Sequence, residues 1–177
     1  MGMFAWLRRH VQGVPGASDP ALDADSAFAE AGPQTRFGMR PGATVAGLDF
    51  YQAIEFQRRW KLRLSAYVRG EACARQSWRD IARDDRCELG RWLQQAGSLQ
   101  GRNAVLVQRL REQHALLHHA AADIVRLADA GQRDAALQAL RHGGFAHASH
   151  ATVAGLSELF TALNEPAGPA GPAGRQH

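Results

Sequence analysis

From Arg102 to Ala130 the chain runs without a glycine or a proline. Along it Val107, Leu110, Leu117, Ala121 and Ile124 recur at helical spacing, and Gly131 then stops the run as a C-terminal cap. A helix this long with a single apolar stripe is not self-sufficient, so other helices must cover that stripe. His114 and His118 stand within it, four residues apart, so their imidazoles leave the same face one turn apart. The pair therefore points into a core and needs chemistry to meet it there.

The remaining segments keep the same period. Phe50, Ile54, Gln57, Trp60 or Lys61, Leu64 and Val68 form one stripe of a first long helix ended by Gly70. Asp85 with Glu88 reads as a capping box, starting a second helix that ends at Gly97 and holds Cys87 in its first turn. Gln132 to Arg141 gives a short helix before Gly143 and Gly144, and Phe145, Ser149, Thr152, Leu156, Leu159 or Phe160 and Leu163 mark a last one. No window alternates as a strand does. The expected architecture is all-α, an antiparallel four-helix bundle with an additional short helix. Residues 1–45, rich in Pro and Gly without apolar period, read as disordered; 46–164 is the bundle; 165–177, with its repeated Pro-Ala-Gly, reads as a disordered tail.

Composition excludes several classes. The 177 residues are 45% hydrophobic and 21% charged, enough for one domain with a real core. The net charge of +4 rests on arginine, Lys61 being the only lysine, and the basic residues are interleaved with acids. No stripe would track a phosphate backbone, so no nucleic-acid partner is expected. The apolar run Met3 to Leu7 is too short for a signal peptide, and no segment reads as a membrane span. Two cysteines, Cys73 and Cys87, are too few for a disulfide scaffold, which points to a cytoplasmic location and to metal or redox chemistry. A Cys73–Cys87 disulfide would need their Cα atoms within about 7 Å.

Cys87, His114 and His118 supply a thiolate and two imidazoles, three quarters of a tetrahedral zinc site. Gln57 is a polar residue on the buried stripe of the first helix, facing where these three would converge, and a buried amide must find partners. Two readings follow. In one, zinc is held by Cys87, His114 and His118 with Gln57 or water in the fourth place; in the other, the four side chains form a metal-free hydrogen-bond cluster. Each residue also has a plainer reading alone. A single bundle cysteine is commonly a small buried hydrophobe, and an isolated histidine pair is seldom a ligand pair. Gly90 in the cysteine block favours the metal, because it lets the second helix approach a neighbouring backbone. His119, His147 and His150 read as surface residues, Trp60 and Trp92 as packing beside the site, and Trp78 as a residue that could cover it.

The blocks Trp60-Lys61-Leu62-Arg63-Leu64, Cys87-Glu88-Leu89-Gly90-Arg91-Trp92, His114 with His118, Ala121 to Gly131 and Phe145 to Val153 together resemble the chemoreceptor zinc-binding domain. The likeness spans about Asp49 to Leu163. It implies a bacterial four-helix bundle holding zinc through three histidines and one cysteine. It further implies a regulatory role beside a chemoreceptor or diguanylate cyclase, or alone, and dimerisation. The family's first histidine lies three residues before the helix-one tryptophan, where this chain has Gln57. A neutral amide oxygen is a weak donor for zinc, so the resemblance implies a weakened site.

Three functions compete: a zinc-responsive or oxidant-responsive sensory domain without enzymatic activity, a zinc hydrolase, and a metal-free helical interaction module. The hydrolase needs a general base and a cleft, and Asp84, Asp85 and Glu88 read better as capping groups. No catalytic residue is assigned. The sensory reading is preferred, with output through a partner or through self-association. Its expected trigger is Cys87, a thiolate favoured by the helix dipole and opposed by Asp84 and Asp85; oxidation to sulfenic acid would remove the strongest zinc ligand.

Overall fold

The computed structural model describes residues 38–71, 77–99 and 101–165. The expectations for residues 1–37, for the tail beyond 165 and for Cys73 lie outside the described residues. Six α-helices and no strand occur among the described residues: α1 Phe50–Arg69, α2 Trp78–Ile81, α3 Glu88–Gln95, α4 Arg102–Asp129, α5 Arg133–His142 and α6 Gly144–Asn164. The protein is an all-α helical bundle, as its periodicity predicts.

Local chemistry fixes the ends. Asp49 caps α1 by accepting from the Gln52 amide at 2.9 Å, and Gly70 closes it in the left-handed region at φ 79°. The Gly42 amide donates to the other oxygen of Asp49 at 2.8 Å. Met39, in the segment read as linker, is buried in the core with Leu48. The described fold thus starts before residue 46, because one apolar side chain has a seat there that no periodicity advertises.

The second helix starts differently from the sequence reading. Asp84–Arg86 form a 3₁₀ turn, and Cys87 is itself the N-cap of α3. Asp85 is instead engaged by the Arg83 guanidinium at 2.9 and 2.7 Å. The helix ends at Gln95, and a 3₁₀ turn, Ala96–Ser98, follows it. A bidentate arginine outcompetes a backbone amide for the carboxylate, so the capping box does not form.

Cross-contacts give the directions. Arg102 pairs with Glu165 and Arg109 with Glu158, so α4 and α6 run antiparallel. Phe50 meets Phe160 and Trp60 meets Phe145, so α1 and α6 do as well. Arg111 reaches the Leu93 carbonyl while Cys87 meets His114, which sets α3 against α4. Gly155 brings α6 close to α4, since a Cβ there would lie 2.9 Å from Gln113 Oε1 and 3.2 Å from Leu110 Cδ1.

The core falls into two apolar halves. One holds Phe50, Ile54, Trp92, Leu110 and Leu156; the other holds Trp60, Leu64, Leu117, Ile124 and Phe145. Between them, on α1, α4 and α6, lie the buried polar residues Gln57, His114, His118, Ser149 and Thr152. Thr152 satisfies its hydroxyl on the Ala148 carbonyl at 2.8 Å. The other members of this polar layer define the site.

Candidate metal centre

Cys87, His114 and His118 meet in this layer, with one ligand atom from each within 4.8 Å of the others. Their side chains are dry: Cys87 is 2% exposed, His114 0% and His118 1%. Cys87 is carried in by the N-terminus of α3, and the histidines by consecutive turns of α4. Cys87 Sγ and His114 Nε2 are 3.2 Å apart. The two imidazoles lie edge to face with centroids 4.6 Å apart.

Backbone contacts orient two of the three. His118 Nδ1 lies 2.6 Å from the Ile81 carbonyl, which can only accept, so Nδ1 carries the proton and the Nε2 lone pair is left to face the site. Trp60 stacks on the same ring at 4.8 Å. Sγ of Cys87 accepts from the Gly90 amide at 3.2 Å and lies 3.5 Å from the Asp84 carbonyl. Gly90 makes this possible, because a Cβ there would lie 1.7 Å from the Asp84 oxygen and 3.2 Å from His114 Cε1. The close approach expected at Gly90 is therefore real, and its partner is the turn just before α3.

Burial dominates the electrostatics of the metal-free site. It pushes the Cys87 thiol up to about 11, outweighing the Gly90 amide that favours thiolate, with Asp84 adding to the rise. Burial, then the neighbouring His118, lowers His114 to about 3. His118 is lowered as well, by burial first, against the Ile81 carbonyl and the Asp84 charge. At neutral pH the group is thus a thiol and two neutral imidazoles. The expectation that the helix dipole favours the Cys87 thiolate fails here, because desolvation is the larger effect.

Gln57 is 3% exposed, on the face of α1 between Ile54 and Trp60 and so at the level of the polar layer. Its Oε1 is buried without a hydrogen-bond partner, and so is Nδ1 of His114. An orphaned buried amide oxygen is costly in a purely structural cluster, whereas Nδ1 of His114, on the far side of the ring from Cys87, is left without a partner whether or not Nε2 holds a cation. The donor set of Cys87, His114 and His118 suits a metal: one soft sulfur, two imidazoles and a fixed His118 tautomer. His119, His147 and His150 are exposed, outside the group. Trp60 lies beside the site as expected, and Trp92, in the same apolar half as Cys87, packs on Phe50 and donates to the Ala46 carbonyl at 2.8 Å. Trp78 is half-buried, with the Arg79 guanidinium over its ring at 4.4 Å. Sequence reasoning missed the Ile81 and Asp84 carbonyls, since any residue carries a carbonyl and only the path of the chain aims it.

Residues 57–125 match the family model of the chemoreceptor zinc-binding domain, a stretch running from Gln57 through all three ligand candidates. No curated protein and no solved structure matches the chain.

Proposed function

We propose that this chain, which carries a chemoreceptor zinc-binding domain over residues 57–125, is a non-enzymatic regulatory module holding zinc through Cys87, His114 and His118, with Gln57 at the fourth position. The observation that carries this reading is the convergence of the three donors in a dry layer with the His118 tautomer already set. When bound, zinc supplies a single anchor joining side chains from separate helices. The chain's own part is to present Cys87 from the α3 N-terminus and the two imidazoles from α4. Occupancy then changes how tightly α3 is held against α4. Output passes through self-association or through a partner such as a chemoreceptor or a diguanylate cyclase.

Oxidant sensing belongs to this reading only in a restricted form. With the thiol pushed up to about 11 and nearly inaccessible, metal-free Cys87 is a poor nucleophile. A response through Cys87 requires the thiolate that metal binding creates, together with an opening of α3. The competing reading, a metal-free interaction module, is supported by the Cys87–His114 contact but leaves Gln57 Oε1 unsatisfied.

Metal analysis of the full chain purified without added zinc should find about one zinc per chain. Cys87→Ser or His118→Ala should lose it while keeping helical circular dichroism. Sizing with and without zinc reads the self-association arm. A wild-type chain that neither retains zinc nor takes it up at one equivalent sinks the proposal.

A further inference from the structure

We propose that Asp84 is the charge partner of the zinc site: its carboxylate stands outside the three donors and offsets the positive charge left over once Cys87 has bound. The inference rests on the three-donor zinc reading above and adds the residue that lets a doubly charged ion sit there. One thiolate leaves zinc with a net charge of +1 in a layer whose ligands are at most 2% exposed. A buried net charge is costly unless an opposite charge stands near it.

Backbone geometry brings Asp84 to the site. Its carbonyl oxygen lies 3.5 Å from Cys87 Sγ, and Gly90 lets α3 pack directly against that same carbonyl. An aspartate carboxylate reaches no more than about 5 Å from its own carbonyl oxygen, so this one lies within about 9 Å of the sulfur. That is about one screening length in physiological salt, and Asp84 is half-buried, which weakens the screening further. The carboxylate is not one of the three converging donors, yet its charge reaches two of them: it raises the Cys87 thiol and opposes the lowering of His118. Arg91 acts on Cys87 in the opposite sense and is the smaller influence. The neighbouring acids are engaged elsewhere. Asp85 pairs with Arg83 at 2.7 Å and Asp80 with Arg86 at 2.6 Å, and of these three acids Asp84 acts least on Arg83. Among the described residues the Asp84 carboxylate has neither a hydrogen bond nor an ion pair, so its charge is left for the site.

The test is zinc competition against a chromophoric chelator on the full chain under reducing conditions. Asp84→Asn and Asp84→Ala should each weaken zinc about five- to tenfold with helical circular dichroism unchanged, and Asp84→Glu should keep most of the affinity. The deficit of the neutral variants should shrink as salt rises from about 20 to about 500 mM, because the carboxylate acts through space. Asp80→Asn removes an exposed acid already paired with Arg86 and should move zinc less than about twofold. Unchanged zinc affinity in the neutral variants overturns the assignment of Asp84 and leaves the zinc reading standing. So does a deficit that is the same at every salt concentration and is shared by Asp84→Glu, since that is the mark of a local structural role. Failure of the unmodified chain to bind zinc overturns both. Two neutral variants are used so that one decides if the other impairs folding.

Discussion

Gly90 is the residue on which the site's shape depends most directly. A methyl group there would overlap the Asp84 carbonyl, a backbone atom that cannot rotate away, so the 3₁₀ turn carrying Cys87 would have to move. Gly90→Ala should therefore destabilise the metal-free chain by about 2 kcal/mol or more in urea unfolding. Gly97→Ala, where a Cβ meets nothing within 4 Å, should not. Equal midpoints for the two variants would refute the packing argument. At this scale the sequence was informative about side chains and silent about backbone. Cys87, His114 and His118 are legible because residue type and helical spacing carry the signal. The Ile81 carbonyl that fixes the His118 tautomer has no sequence signature at all.

Among the elements, α3 holds the lesson. It is short and amphipathic, its only side-chain cap is Cys87, and the same sulfur is the proposed ligand. Metal binding and helix initiation therefore compete for, and share, one atom. In the metal-free chain Cys87→Ala should cost about 1 kcal/mol from lost capping, and Cys87→Ser should restore most of it. Asp85→Ala should leave the melting temperature unchanged, because Asp85 faces Arg83 and does not cap. A larger loss in Asp85→Ala than in Cys87→Ala would reinstate the capping box. The long helices were easier to read than α3, since Gly70 and Gly131 mark their ends by adopting positive φ.

For the whole molecule, the polar layer between two apolar halves makes stability depend on pH from both sides. His114 falls from 6.5 to about 3 on folding, and His118 is lowered too. The unfolded chain therefore takes up protons first, and the histidines' contribution is full above 6.5 and lost as pH falls toward about 3. Cys87 rises from 9.0 to about 11, so its contribution is full below 9 and lost between 9 and about 11. The metal-free chain should show a stability dome over pH 6.5–9, and urea midpoints across pH 4–11 check it. Because the thiol must ionise to bind metal, apparent zinc affinity should rise about tenfold per pH unit between pH 7 and 9, with one proton released per zinc. A flat affinity over that range would mean that Cys87 is not a ligand. No helix among the described residues is long and apolar enough to cross a membrane.

Sequence alone determined the long helices, the three donor residues and the glutamine on the buried face, because helical period and ligand type are local properties. Tertiary structure decided the rest. Asp85 turns to Arg83, Cys87 takes the cap, Met39 joins the core, and desolvation overrides the helix dipole at the thiol. Each of these is a competition between partners distant in sequence or a consequence of burial. Neither exists until the helices pack.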